Sequence, residues 1–249
     1  MLLHNRISDP SFHRSATAPC EYVVGFQASI RMLVVALAFV FAYSSAQARE
    51  YGRYDPKRIF IESESPSGTR HSIDFQYLDQ ILDDLSTHAK SYPPVFDSNQ
   101  DRQRAIRNIA MLSGMLDIMV NDPAPSQEIL LRAGYLNAMG HNLDIPGSAQ
   151  RAVSCYEKLL AMAPDHPLGN CRYGIFLAGS NFGRLALPYL KKAHSLGVVD
   201  ADYTLGLVCL ELGDKQSALE YLQSYRKANP GALNVDFLIN AIRNGTLHY

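Results

Sequence analysis

The sequence predicts an all-α fold, a solenoid of helical hairpins, and three observations carry the prediction. Gly140, Gly174 and Gly206 stand 34 and then 32 residues apart. Each is followed twelve residues later by an alanine (Ala152, Ala186, Ala218), and four residues after that by a large side chain (Tyr156, Leu190, Leu222). Prolines close two of the three units, at Pro164 and Pro230. A period in this range, with helix-sized apolar segments, marks a helical repeat array.

Each recurrence has a physical reason. A hairpin of two helices cannot bury both apolar stripes alone, so neighbouring hairpins stack. The glycines fall where the first helix must approach its partner closely. The alanines do the same on the second helix, and the large residue one turn on fills the core. Proline lacks an amide donor and disfavours helix in the residue before it, which ends the second helix.

At these residues the chain resembles the tetratricopeptide repeat family. The resemblance runs from Leu205-Gly206 through Leu212-Gly213-Asp214 and Ala218-Leu219-Glu220-Tyr221-Leu222 to Asn229-Pro230. Ala193 to Gly197, followed by Ala201 to Gly206, looks more like the related Sel-like repeats. The first unit departs most, with Asn142 to Gly147 in its inter-helix loop. The resemblance covers roughly 115 of the 249 residues. It implies about three repeats and a scaffold that binds proteins or peptides along a groove lined by the first helices. By register the implied groove residues are Asn137 and His141, then Cys171, Arg172 and Ile175, then Tyr203, Leu207 and Leu210. The paired lysines and asparagines with which some relatives clamp a peptide carboxylate are not present.

Composition narrows the function classes. Hydrophobic content is 47 % and net charge is −1. That balance removes the electrostatic argument for a nucleic-acid partner. Four scattered cysteines contain no Cys-x-x-Cys pair, so no zinc knuckle or redox motif is supported. No nucleophile elbow, phosphate loop or dinucleotide fingerprint occurs. His141, His166 and His194 lack ligand spacing and read as capping or solvent residues. The chain is expected to be non-catalytic, with no cofactor and no metal.

Residues 1–48 read as a preamble followed by a secretory signal peptide. Arg31 precedes an apolar run, Met32 to Tyr43, too short for a bilayer core that needs roughly 20 residues. Ala46-Gln47-Ala48 supplies the small-x-small cleavage pattern, so the mature chain is expected to begin at Arg49 with no stable membrane span. An uncleaved anchor is the other reading. Periplasmic or secreted location at a bacterial cell envelope follows from the signal style and family habit.

Residues 49–72 read as an irregular linker, with Ile59-Phe60-Ile61 a possible extended piece. Residues 73–122 read as a helical pair. Leu78, Ile81, Leu82, Leu85 and Ala89 keep helical period. Pro93-Pro94 ends that helix, and Ser98 caps a second from about Asn99 to Val120. Its half from Ile109 onward is apolar nearly all round, which predicts burial. Asp117 inside that run then needs a partner, an arginine from a neighbouring helix or a ligand. Residues 126–245 read as the repeat domain with a capping helix after Ala232.

Two functions stand on this reading. The first is an exported scaffold for protein–protein interaction. Tyr203 and Leu207, four residues apart, would share a helix face with Arg172 one repeat away. That set suits a peptide with an apolar anchor and one carboxylate. The groove could also be filled internally, by the 73–120 helices or the 49–72 tail. The second function is a ligand-binding or enzyme-associated subunit using the 73–120 pair, around Arg104, Arg107 and Asp117.

Overall fold

The computed structural model describes residues 50–65 and 68–246. The expected signal run and its cleavage site lie outside the described residues. After a 3-10 turn at Pro56–Ile59 come β1 (Phe60–Ser65) and β2 (Gly68–Ile73), then nine helices among the described residues. These are α1 (Phe75–Ala89), α2 (Asn99–Val120), α3 (Gln127–Asn142), α4 (Ser148–Met162), α5 (Pro167–Gly179), α6 (Gly183–Ser195), α7 (Asp200–Glu211), α8 (Lys215–Ala228) and α9 (Leu233–Arg243). The fold is an all-α solenoid of helical hairpins.

Local chemistry sets the helix starts. Asp74, Ser98, Ser126 and Asp214 accept backbone N–H bonds three residues on and cap α1, α2, α3 and α8. His166 caps α5 through Nδ1, which accepts from the Gly169 amide at 3.1 Å. Pro167 follows at the first helical position, where its missing amide is harmless. The second helices α4 and α8 end at Met162 and Ala228, two residues ahead of Pro164 and Pro230.

Helices α3/α4, α5/α6 and α7/α8 pair as hairpins, and each first helix also packs on the next. Ala152, Ala186, Ala218, Tyr156, Leu190 and Leu222 are all fully buried. A Cβ on Gly174 would sit 2.6 Å from Leu190 Cγ, and one on Gly206 2.6 Å from Leu222 Cγ. In the first hairpin the pairing shifts. Tyr156 closes on Gly134, where a Cβ would lie 2.7 Å from its ring, while Gly140 makes room for Ser148.

The last described helix, α9, packs on α8. On α7 the face that receives α8 is Asp202, Leu205, Gly206 and Cys209. The corresponding positions of α9 are Asp236, Ile239, Asn240 and Arg243. Asp236 bonds Arg226 of α8 at 2.6 Å. Three of those four positions are polar, while Leu233 and Phe237 elsewhere on α9 are exposed.

Two expectations from the sequence need correction. Residues 49–72 are not an irregular linker. Tyr51 and Ile59 are fully buried, and β1 and β2 form a two-stranded antiparallel hairpin registered from Phe60↔Ile73 to Ser65↔Gly68. The segment from Glu50 to Ile59 lies between α1 and α2 as a wedge. The Gly52 amide donates to Asp84 of α1 at 2.8 Å, and Asn108 Nδ2 of α2 donates to the Tyr51 hydroxyl at 3.0 Å. Nor is the second half of α2 buried all round: Met111 is 44 % exposed and Ile118 77 %. A helix at the end of an array has one face that no neighbour covers. Asp117 is accordingly half-buried, and its partner is the expected arginine of a neighbouring helix, Arg151 of α4 at 3.3 Å.

Candidate functional site

The exposed face of the first helices is the candidate site. Because the hairpins repeat, equivalent positions on α3, α5 and α7 line up across the array. His141, Ile175 and Leu207 are one such column, and Ala138, Arg172 and Thr204 are the column beside it. Ile175 is 36 % exposed and Leu207 38 %. His141 is half-buried with its ring edge on Phe176 of α5, the centroids 5.7 Å apart. Desolvation holds its pKa below the ordinary histidine value, so the imidazole is neutral at physiological pH.

Arg172 supplies the charge. Its guanidinium lies over the Tyr135 ring of α3, 4.0 Å from the centroid. This geometry lets the ring face stabilise the cation and fix its plane. Among the described residues no carboxylate pairs with it and no acceptor takes its N–H donors. By contrast Arg132, also on α3, is consumed by Asp79 at 2.7 Å and by Glu128.

The implied groove residues divide into two groups. His141, Arg172, Ile175 and Leu207 do come together on the open face. Asn137 and Cys171 do not: they are buried, at 1 % and 3 % exposure. Asn137 accepts from the Ser113 hydroxyl at 2.9 Å and donates to the Ala133 carbonyl at 2.8 Å, tying α2 to α3. Tyr203 belongs to the same inward column. It is half-buried against Tyr225 of α8, ring centroids 5.4 Å apart, and burial raises its pKa. Leu210 is also buried. The open face is centred on the 138/141 side of each first helix, one residue round from the 137 column.

Sequence reasoning missed Tyr135, the aromatic platform that Tyr203 does not provide. The available signal was the repeat itself. Tyr135 stands one turn before Ala138, the position equivalent to Arg172, and so shares the open face.

The N-terminal wedge does not fill this face. Arg104 donates to the Tyr51 and Gly52 carbonyls and pairs with Asp101 and Glu50. Asp84 accepts from the Gly52 amide and the Tyr54 hydroxyl. Arg104 of α2 and Asp84 of α1 thus hold the chain's own segment. Arg107 is exposed on α2, away from both Arg104 and Asp117 in contacts.

A second polar cluster, around Asp202, is satisfied internally. Asp202, 2 % exposed, bonds His194 Nδ1 at 2.6 Å and accepts from the Ser224 hydroxyl at 2.6 Å, joining α6, α7 and α8. Cys155, Cys171 and Cys209 are free and buried. Burial pushes the Cys155 thiol up to about 11 and that of Cys171 to about 12, so both stay protonated and inert. Among the described residues no cluster of three metal-ligating side chains exists, and no helix is long and apolar enough to cross a membrane.

No known family profile and no curated protein matches the sequence. Among solved structures, the chain is similar to the MamA chain designated MSR-1 C2, at 20 % identity over 58 % of this chain and 84 % of that one, with a TM-score of 0.46. It is also similar to a point mutant of MamA, at 18 % identity over 70 % of this chain and 90 % of that one, with a TM-score of 0.44.

Proposed function

We propose that this chain is a non-catalytic scaffold of the tetratricopeptide or Sel-like type, exported to the bacterial cell envelope, that binds a protein partner on the open face of α3, α5 and α7. One observation carries the reading. Arg172 is fixed over Tyr135 with no carboxylate partner among the described residues, beside the exposed apolar pair Ile175 and Leu207. An immobilised cation next to apolar surface suits a segment with an apolar anchor and one carboxylate. Arginine and aromatic side chains are also the types most often found at binding hot spots. Export rests on the run from Met32 to Ala48 in the sequence.

The test uses a partner captured from envelope extract and then purified. Arg172→Ala should weaken its binding by about tenfold, the change expected for loss of one charged contact, and leave the melting temperature nearly unchanged. Leu207→Asp should do the same. Tyr203→Ala, by contrast, should lower stability, because that ring packs on α8. Undiminished binding by both face variants would refute the assignment. N-terminal sequencing of the protein from its native host tests export: a chain beginning at Arg49 agrees, and an intact chain retained in the cytosol overturns it.

A further inference from the structure

We propose that the outer face of α2 is a self-association surface whose occupant is α2 of a second copy of this chain, antiparallel about a two-fold axis. Arg107, Met111, Gly114 and Ile118 recur at helical spacing and form one stripe of α2, and Asp122 follows in the turn just past its end, where Oδ1 accepts the Ala124 amide at 2.8 Å. Met111 and Ile118 are 44 % and 77 % exposed, and Ile118 is the most exposed large hydrophobic residue among those described. Gly114 lies at the middle of the stripe. A Cβ there would meet nothing within 4 Å, so the fold of one chain does not require glycine. Glycine nonetheless weakens a helix interior relative to alanine. A second backbone crossing at that point supplies the reason that the single chain lacks.

Charge and symmetry select the occupant. The stripe is cationic at Arg107, the turn that follows it is acidic at Asp122, and among the described residues neither has an ion pair. Rotation about the point between Gly114 and Met115 sets Arg107 opposite Asp122 of the second copy, and Met111 opposite Ile118 of the second copy. Each contact occurs twice, so the patch is complementary to itself, as an isologous interface requires. A parallel pairing would instead oppose Arg107 with Arg107 and Asp122 with Asp122. The flanking charges are already engaged. Asp117 pairs with Arg151, and Lys158 donates to the Val120 carbonyl and to Asn121.

Sedimentation velocity over a concentration series of the purified chain tests this. The wild type should pass from monomer to dimer. Arg107→Asp and Asp122→Arg should each raise the dimer Kd about tenfold or more. An equimolar mixture of these two variants should associate again, because one chain is then acidic at both positions and the other basic at both. Ile118→Asp should abolish the dimer with the melting temperature of the dilute chain unchanged, since the residue is exposed in the single chain. A wild type that stays monomeric overturns the proposal. So does a dimer indifferent to Ile118→Asp, or a mixture that fails to re-associate. None of these readings depends on the partner-binding face, so the two ideas fail independently.

Discussion

Replacing Tyr51 by alanine tests the claim that the N-terminal segment belongs to the core. The ring is fully buried, with Tyr54, His88 and Phe96 at centroid distances of 5.6, 5.9 and 6.4 Å. A buried aromatic removes roughly 150–250 Å² from water, worth about 4–6 kcal/mol at ~25 cal/mol per Å². Residual burial in the unfolded chain lowers that to about 3–4 kcal/mol. The Asn108 amide, which donates to the Tyr51 hydroxyl, loses its partner and adds about 1–3 kcal/mol. Tyr51→Ala should therefore lose about 4–7 kcal/mol, and Tyr51→Phe only the smaller part, about 1–3 kcal/mol. For a chain of this size the alanine variant should melt roughly 10–20 °C lower. Circular dichroism melts and urea titrations measure both variants. Hydrogen exchange adds the location: protection should fall in α1 and α2 and persist in α7 and α8, because a solenoid couples nearest neighbours. A loss under about 1 kcal/mol for Tyr51→Ala, the size of an ordinary surface change, would mean that the segment is only draped on the fold.

Gly206→Ala should destabilise, because overpacking against Leu222 costs about 1–3 kcal/mol and outweighs a helix-propensity gain of at most about 1 kcal/mol. Gly114→Ala, measured in dilute solution, should stabilise by about 0.5–1 kcal/mol, since its Cβ meets nothing; equal responses at the two glycines in thermal melts would show that close approach does not govern the hairpins. Stability should fall as pH rises from about 9 to 11, because the folded thiols of Cys155 and Cys171 keep their protons while the unfolded chain releases them near 9. Replacing both cysteines by alanine should flatten the decline between about pH 9 and 10, below the range where the buried tyrosines add a loss of the same sign.

The parts of this fold that were legible in the sequence are those fixed by neighbours along the chain. Ala186 and Leu190 sit one turn apart, as do Ala218 and Leu222, and their spacing is a direct record of the hairpin contact. Caps such as Ser98 and Ser126 act on amides three residues away. What the sequence hid depends on distant partners. Tyr51 meets Asn108 across 57 residues, and no local pattern announces that. The phase of the open face was misjudged by one residue. Asn137 and His141 are four apart and share a helix side, yet Ser113 of α2 draws Asn137 inward. Tyr135 escaped notice because its partner Arg172 lies in the next repeat. The apolar half of α2 looked buried because its composition cannot show that the array ends there.

The three first helices α3, α5 and α7 give the open face a definite length. With neighbouring helices ~8–10 Å apart, the column from His141 through Ile175 to Leu207 spans roughly 20 Å. An extended peptide advancing ~3.3 Å per residue crosses that distance in about six residues. The face is in this sense a gauge. It can read a short linear motif from end to end, and any longer partner must leave it at either side, so additional affinity has to come from a second grip elsewhere.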